Sequence, residues 1–249
     1  MIFLGGLHRS GTSLLFRILR DHPDISGFYN TGVPEDEGQL LQTVYPPART
    51  YGGPGRFGFN SHAFLDEKSP LVSETNARKL FAEWGPYWNL ESRYLLEKSP
   101  PNLVRSRFLQ ALFPGASFVM LLRHPVAVTF ATQKWSGTAV ETLLEHWLLC
   151  HERYEADKDC IDRLHTLKYE ELIMDPEQRL AQIYEFLNLD PVPHGQVVEQ
   201  GVNDKYFQRW RDTMSDSSAR TNRIISRYEA RVRAFGYSLE ELDRVDCTL

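Results

Sequence analysis

Apolar positions along this chain alternate between short continuous runs and longer stretches with helical spacing. Ile2-Phe3-Leu4 is a run that ends in Gly5-Gly6, and Leu14, Leu15, Ile18 and Leu19 then repeat as on an amphipathic helix. The opening therefore reads as strand, tight loop and helix, the helix spanning roughly 12–21. His22-Pro23 closes it, because a proline disfavours helix in the residue before it. Pro34, followed by Glu35, Asp36 and Glu37, predicts a second helix start, since proline suits the first helical position and acids suit the first turn. A helix is expected over 70–84, with Leu71, Leu80, Phe81 and Trp84 on or near one face. Tyr94-Leu95-Leu96-Glu97 predicts a short strand, and 102–113 a helix. The run over 117–122 is the most strand-like in the chain, and reads as a strand buried on both faces of a parallel sheet. Helices are expected over 126–135 and 138–157, divided at Ser136-Gly137, with Leu143, Leu144, Trp147 and Leu148 on the core side. A strand over 164–169, a helix over 176–187 and an Arg-rich helix from Ser217 to Phe235-Gly236 complete the pattern.

Strands alternating with helices predict an α/β fold: a three-layer, P-loop-like domain whose central parallel sheet is flanked by helices. The expected organisation is one domain over 1–249, with a core of about 1–212 and a helical extension of about 213–249. No internal repeat, low-complexity tract or linker interrupts it. Residues 45–64 hold the longest stretch without periodicity, with Pro46-Pro47, Gly52-Gly53-Pro54-Gly55 and Gly58 among Tyr51, Phe57, Phe59 and Phe64. Long aperiodic loops are usually functional or disordered; the interleaved aromatics favour a lid or pocket wall here, or else a packed surface loop.

Composition narrows the function classes. Apolar content of 42% and charged content of 24% suit a soluble globular protein, and a net charge of −5 argues against non-specific nucleic-acid binding. Any anion site must then be a local basic pocket. Cys150, Cys160 and Cys247 are odd in number and lack metal spacing, so a reducing compartment is expected and a metal site is not. His146 and His151 lie five apart on one predicted helix, off a shared face, and read as structural or surface residues. No apolar run reaches membrane-spanning length, and the first strand begins at residue 2. A cytoplasmic, bacterial protein is the expectation; the oligomeric state stays open.

The chemistry concentrates in the first loop. From Gly6 it follows G-x-x-x-x-G, with Thr12-Ser13 where a nucleotide hydrolase carries Lys-Ser or Lys-Thr. Glycines let the amides and the positive helix end surround a phosphate. The lysine that reaches the β- and γ-phosphates of a triphosphate is missing, and Arg9 is the loop's cation. The apolar run over 117–122 ends in Arg123, where the Mg²⁺-binding strand of an ATPase ends in Asp. Both departures point to an anion site unlike that of a Mg-triphosphate enzyme.

Gly-Gly-Leu-His-Arg-Ser-Gly-Thr-Ser-Leu-Leu resembles the 5′-phosphosulfate loop of sulfotransferases that use 3′-phosphoadenosine 5′-phosphosulfate (PAPS). Arg before Ser-Gly-Thr is similar to the tyrosylprotein sulfotransferases and their bacterial relatives, and the resemblance extends to about residue 210. It implies that Arg9, Ser10, Gly11, Thr12 and Ser13 hold the 5′-phosphosulfate. It further implies that Lys98, in Lys-Ser-Pro, reaches the transferring sulfonate, and that Arg123 binds the 3′-phosphate. A family serine eight residues further on is Ala131 here, with Thr129 or Thr132 as the substitute hydroxyl. Lys168-Tyr169-Glu170-Glu171-Leu172 resembles a segment whose tyrosine lies near the nucleotide, and residues 202–210 resemble a late loop that closes over it through Lys205 or Arg209. A glutamate after the first helix is the family's general base. Glu37 is the first choice, Glu35 the second and His8 the rival, with His62 a more distant one; as acids in a helix's first turn, Glu35 and Glu37 would point in different directions. No metal is required. The implied reaction moves a sulfonate in line from PAPS to an acceptor hydroxyl on a small molecule, sugar, lipid or tyrosyl peptide, leaving adenosine 3′,5′-bisphosphate. A P-loop kinase or nucleotide hydrolase, and a non-catalytic nucleotide-binding module, remain the alternatives.

Overall fold

Strand β4 (Ser117–Leu122) is buried at every residue, as its unbroken apolar run requires of a strand covered on both faces. In the computed structural model, which describes residues 1–215 and 218–246, it lies in a five-stranded sheet. Ser217 and Cys247 fall outside the described residues. The other strands are β1 (Ile2–Gly5), β2 (Ile25–Gly27), β3 (Tyr94–Lys98) and β5 (Leu164–Lys168). Their order is β2-β3-β1-β4-β5 and every pairing is parallel. Helices flank the sheet, so the fold is the expected α/β one. The chain order reverses at β1, whose neighbours are β3 and β4, which places a crevice at the carboxyl ends of these strands.

The helices are α1 (Thr12–Arg20), α2 (Glu74–Trp84), α3 (Ser106–Leu112), α4 (Pro125–Ser136), α5 (Val140–Asp157), α6 (Tyr169–Met174), α7 (Pro176–Leu187), α8 (Asp204–Ser215) and α9 (Ser218–Arg233). Gly137 (φ 60°) ends α4 in the left-handed conformation, at the expected division from α5. Helix α5 buries Leu143, Leu144, Trp147 and Leu148, and also His146 and His151.

Several expectations need correction. Strand β2 has three residues, too short for periodicity to reveal. The segment after Pro34 is only a 3₁₀ turn over Pro34–Asp36, because Glu35 (φ 55°) and Asp36 (φ 49°) are left-handed and turn the chain back. Asp36 Oδ1 holds that turn by accepting from Thr31 N (2.8 Å) and Thr31 Oγ1 (2.7 Å). The expected late loop over 202–210 is mostly helix α8. Phe81 is exposed, whereas Leu80 and Trp84 are buried. The arginines of α9 do more than face water: Arg231 pairs with Glu152 (2.7 Å) and Glu145 (3.1 Å) of α5, and Arg220 pairs with Glu141 (3.0 Å).

The stretch over 45–64 is a packed wall of short 3₁₀ turns. Phe57 and Ala63 are fully buried. The Phe57 ring meets His146 (4.8 Å between centroids) and His8 (5.9 Å), so this wall reaches the first loop. Among the described residues, no helix is long and apolar enough to cross a membrane.

Candidate active site

Register brings the strand ends together. Leu4 lies opposite Lys98 and Gly5 opposite Met120, so the turn after β1 has Lys98 on one side and Arg123, just past β4, on the other. Helix α1 begins there, and its first intrahelical bond runs from Leu14 N to Gly11 O (3.0 Å). Ser10 N donates to Leu7 O (3.0 Å), while the amides of Gly11, Thr12 and Ser13 have no backbone partner among the described residues, the arrangement in which helix-start amides can face an anion. Gly11 has φ 97°, and a side chain there would meet the Tyr169 ring at 2.4 Å. Only glycine suits both the backbone and the contact.

A cavity of about 220 Å³ is lined by His8, Arg9, Gly11, Thr12, Ser13, Glu35, Glu37, Pro100 and Arg123. A wider groove of about 850 Å³ runs beside β5, yet it contains no residue of the first loop and mixes Lys158, Lys168, Arg179 and Arg233 with Glu155, Glu171, Glu185 and Asp246. The smaller cavity is the one of the two that carries the first loop together with Arg9 and Arg123.

Lys98 is buried beneath this cavity. Its Nζ donates to Glu35 O (2.6 Å) and lies 3.9 Å from Glu37 Oε1. Burial holds Lys98 below the ordinary ammonium range and Glu37 above the ordinary carboxyl range, while their attraction opposes both shifts. Gln39 Nε2 donates to Glu37 Oε2 (2.5 Å), and Ser13 Oγ donates to Glu35 Oε2 (2.8 Å). The left-handed turn thus puts both glutamates on the cavity, correcting the expectation that they point apart. His8 also lines it; burial, reinforced by His146 and by the charges of Lys98, Arg9 and Arg105, pushes its imidazole down to about 3, and its Nδ1 has no hydrogen-bond partner among the described residues.

Arg123 is fixed by neutral partners. Its Nη1 donates to Arg9 O (2.8 Å), its Nη2 to Asn203 Oδ1 (2.6 Å), and the guanidinium lies 4.1 Å from the Tyr169 ring centroid. Asn203 Nδ2 in turn donates to Glu170 Oε1 (2.8 Å). Arg9 is exposed at the crown of the loop, 5.7 Å from the ring of Trp135, itself 76% exposed.

Other sequence-predicted residues lie elsewhere. Thr132 and Thr129 face a separate space of about 10 Å³ beside Gly55 and Leu143, because they project from α4 toward α5. Arg209 donates to Gln133 Oε1 (2.8 Å), and Lys205 lies 5.2 Å from the Tyr206 ring centroid; neither lines the cavity. Ser10 is fully buried, and its Oγ has no hydrogen-bond partner among the described residues. Sequence reasoning missed Gln39, Glu97, Ser99, Asn203 and Glu170. An acid at the end of an otherwise apolar strand was the one available signal, and it pointed to Glu97.

The parallel sheet and the glycine loop opening a helix define a P-loop-like α/β protein. A model of the sulfotransferase family matches residues 2–193, and the chain belongs to that family. It is 24% identical over 200 residues to protein-tyrosine sulfotransferase 2 of Gallus gallus, a match covering 76% of this chain and 51% of the relative. It is 25% identical over 238 residues to nodulation protein NoeE of Sinorhizobium fredii, covering 83% and 54%. It is 23% identical over 166 residues to omega-hydroxy-beta-dihydromenaquinone-9 sulfotransferase Stf3 of Mycobacterium tuberculosis, covering 60% and 43%. The chain spans about half the length of the curated relatives it matches. The fold is shared with the sulfotransferase domain of the Synechococcus olefin synthase (TM-score 0.53, 20% identity, 83% of this chain and 86% of that one). It is shared also with a sulfotransferase from Alicyclobacillus acidocaldarius (TM-score 0.50, 20% identity, 93% and 95%).

Proposed function

We propose that the protein transfers a sulfonate group from PAPS to an acceptor hydroxyl. The observation that carries this reading is one cavity, in a chain of this family, where helix-start amides meet Arg9, Arg123 and the Glu37 carboxyl, with Lys98 buried behind that carboxyl. PAPS supplies a sulfonate activated by a phosphate leaving group. The amides of Gly11 to Ser13, with Arg9, hold the anionic end, and Arg123 anchors the 3′-phosphate. Glu37 takes the acceptor proton; burial raises it toward the range where a carboxylate is an effective base. As the acceptor oxygen bonds sulfur and the bond to the 5′-phosphate oxygen breaks, Lys98 and Arg9 neutralise the charge left on that oxygen. In-line geometry follows from holding donor and acceptor on opposite sides of the sulfur. These cations all come from side chains, so the reading needs no metal. The relatives named for protein tyrosine and for an omega-hydroxylated menaquinone both point to a hydroxyl acceptor.

The chain should bind adenosine 3′,5′-bisphosphate in EDTA at least about tenfold more tightly than AMP, since one further phosphate pairs with a buried guanidinium. Isothermal titration measures this. Equal affinities would remove Arg123 from the 3′-phosphate site, and no binding of the bisphosphate would remove the reading altogether.

A further inference from the structure

Beside the cavity, on the opposite side of β3 from Lys98, lies a buried carboxylate that the mechanism above does not use. Glu97 is 0% exposed. Among the described residues its hydrogen-bond partners are neutral: Ser99 Oγ donates to Oε1 (2.6 Å) and Asn102 Nδ2 to Oε2 (2.5 Å). The Asn102 amide cannot turn over, because Nδ2 also donates to Leu4 O (3.1 Å). Ser99 spends its single proton on Glu97, so its lone pair is left to accept from Gln39 N (2.9 Å). Position 97 must therefore offer two acceptors, which a carboxylate does and an amide does not.

The turn that carries Glu37 rests on this arrangement. A side chain on Gly38 would lie 2.3 Å from Glu97 Oε1, so the turn is seated directly on the carboxylate. Gln39, held by Ser99, reaches Glu37 with its Nε2 and accepts from Ala48 N (2.8 Å) with its Oε1. We propose that Glu97 is a positioning residue: through Ser99 it seats the Gly38–Gln39 turn and so sets the Glu37 carboxyl against Lys98. The inference takes from the sulfotransferase reading only the task assigned to Glu37. Burial, opposed by the two hydrogen bonds, pushes Glu97 up to about 7, so this support is itself sensitive to pH near neutrality.

The test reads Glu37 directly. Protein labelled with ¹³C at the glutamate carboxyls is titrated by NMR, with the Glu37 signal assigned by its loss in Glu37→Gln. The titratable and charged groups around that carboxyl are Lys98, Glu35, Glu97, the neutral His8, Arg9 and Arg123. Ser99→Ala keeps all of them and cuts the link, so the Glu37 midpoint should rise by about half a pH unit or more, roughly threefold in proton affinity. Ser99→Thr, which retains the hydroxyl at an extended backbone position (φ −144°), should restore it. In a Glu97→Gln background the same Ser99→Ala change should move the midpoint less than half as far, because the chain is already broken. Glu97→Asp takes the place of Glu97→Gln if the latter does not fold. An unmoved midpoint in Ser99→Ala, or equal shifts in both backgrounds, overturns the proposal. Failure of the unsubstituted protein to bind the bisphosphate would sink the sulfotransferase reading and leave this result standing.

Discussion

At the scale of single residues, Glu35 and Glu37 share one cavity but do different things. Glu37 faces Lys98 across 3.9 Å, whereas Glu35 accepts from Ser13 at the start of α1, where a bound anion would also reach. Glu37→Gln should abolish transfer to an acceptor found by screening with PAPS, while product affinity stays within a few-fold. Glu35→Gln should retain turnover and tighten bisphosphate binding, because a negative charge leaves the anion site. If Glu37→Gln remains active and His8→Ala does not, the proton acceptor is the histidine. Arg9→Ala and Lys98→Ala should each lower kcat by roughly a hundredfold, with a smaller effect on product binding, since charge builds up mainly in the transition state. A change confined to KM would make both residues ground-state binding groups.

At the scale of elements, the join between the first loop and α6 decides whether the site forms. The loop can pass the Tyr169 ring only without a side chain at position 11, and with φ 97° there. Gly11→Ala should cost roughly 1–3 kcal/mol through backbone strain, and more where the ring must move. Thermal melting and bisphosphate titration should both register it, and a variant unchanged in both would show that the loop has room to relax. Loop, strand ends and cations were legible in the sequence, because glycine spacing and unbroken apolar runs are local signals. The left-handed turn at Glu35 and Asp36 was not legible. Its residues are ordinary helix-start types, and the carbonyl contact with Lys98, 63 positions away, is long-range.

At the scale of the molecule, three buried histidines govern stability against acid. His124 accepts from Val126 N with Nδ1 (3.2 Å) and has its Nε2 at Ser238 O (3.1 Å), a pattern that requires the neutral ring. Burial lowers His124 and His151 to about 3 and His146 to about 4, against an ordinary value of 6.5. The folded state then binds fewer protons than the unfolded chain in that window. The stability these rings confer is complete above pH 6.5 and is lost as pH falls, by roughly 1–2 kcal/mol each down to about pH 5. Glu97 works the other way: raised from 4.5 to about 7, its contribution is complete below 4.5 and is lost as pH rises through 7. The lowered histidines, with His8 and His165 added to these three, outnumber the raised carboxyls of Glu97 and Glu37, so Tm should fall as pH drops from 6.5 to 5, as calorimetry can follow. A Tm that is flat or rises over that range would mean that these rings become protonated without loss of the fold.

The sequence by itself determined the α/β class, the glycine loop that opens the first helix, the basic residues at the strand ends and the absence of the loop lysine and strand-end acid of a triphosphate site. Each of these is written in neighbouring residues, whose spacing and backbone needs suffice to read them. The tertiary structure alone decided that Glu35 and Glu37 meet in one cavity, that Thr132, Lys205 and Arg209 lie away from it, and that Glu97 supports the turn bearing Glu37. Those outcomes depend on parallel strands set in register by crossovers dozens of residues long, and on buried hydrogen bonds whose partners no local pattern pairs.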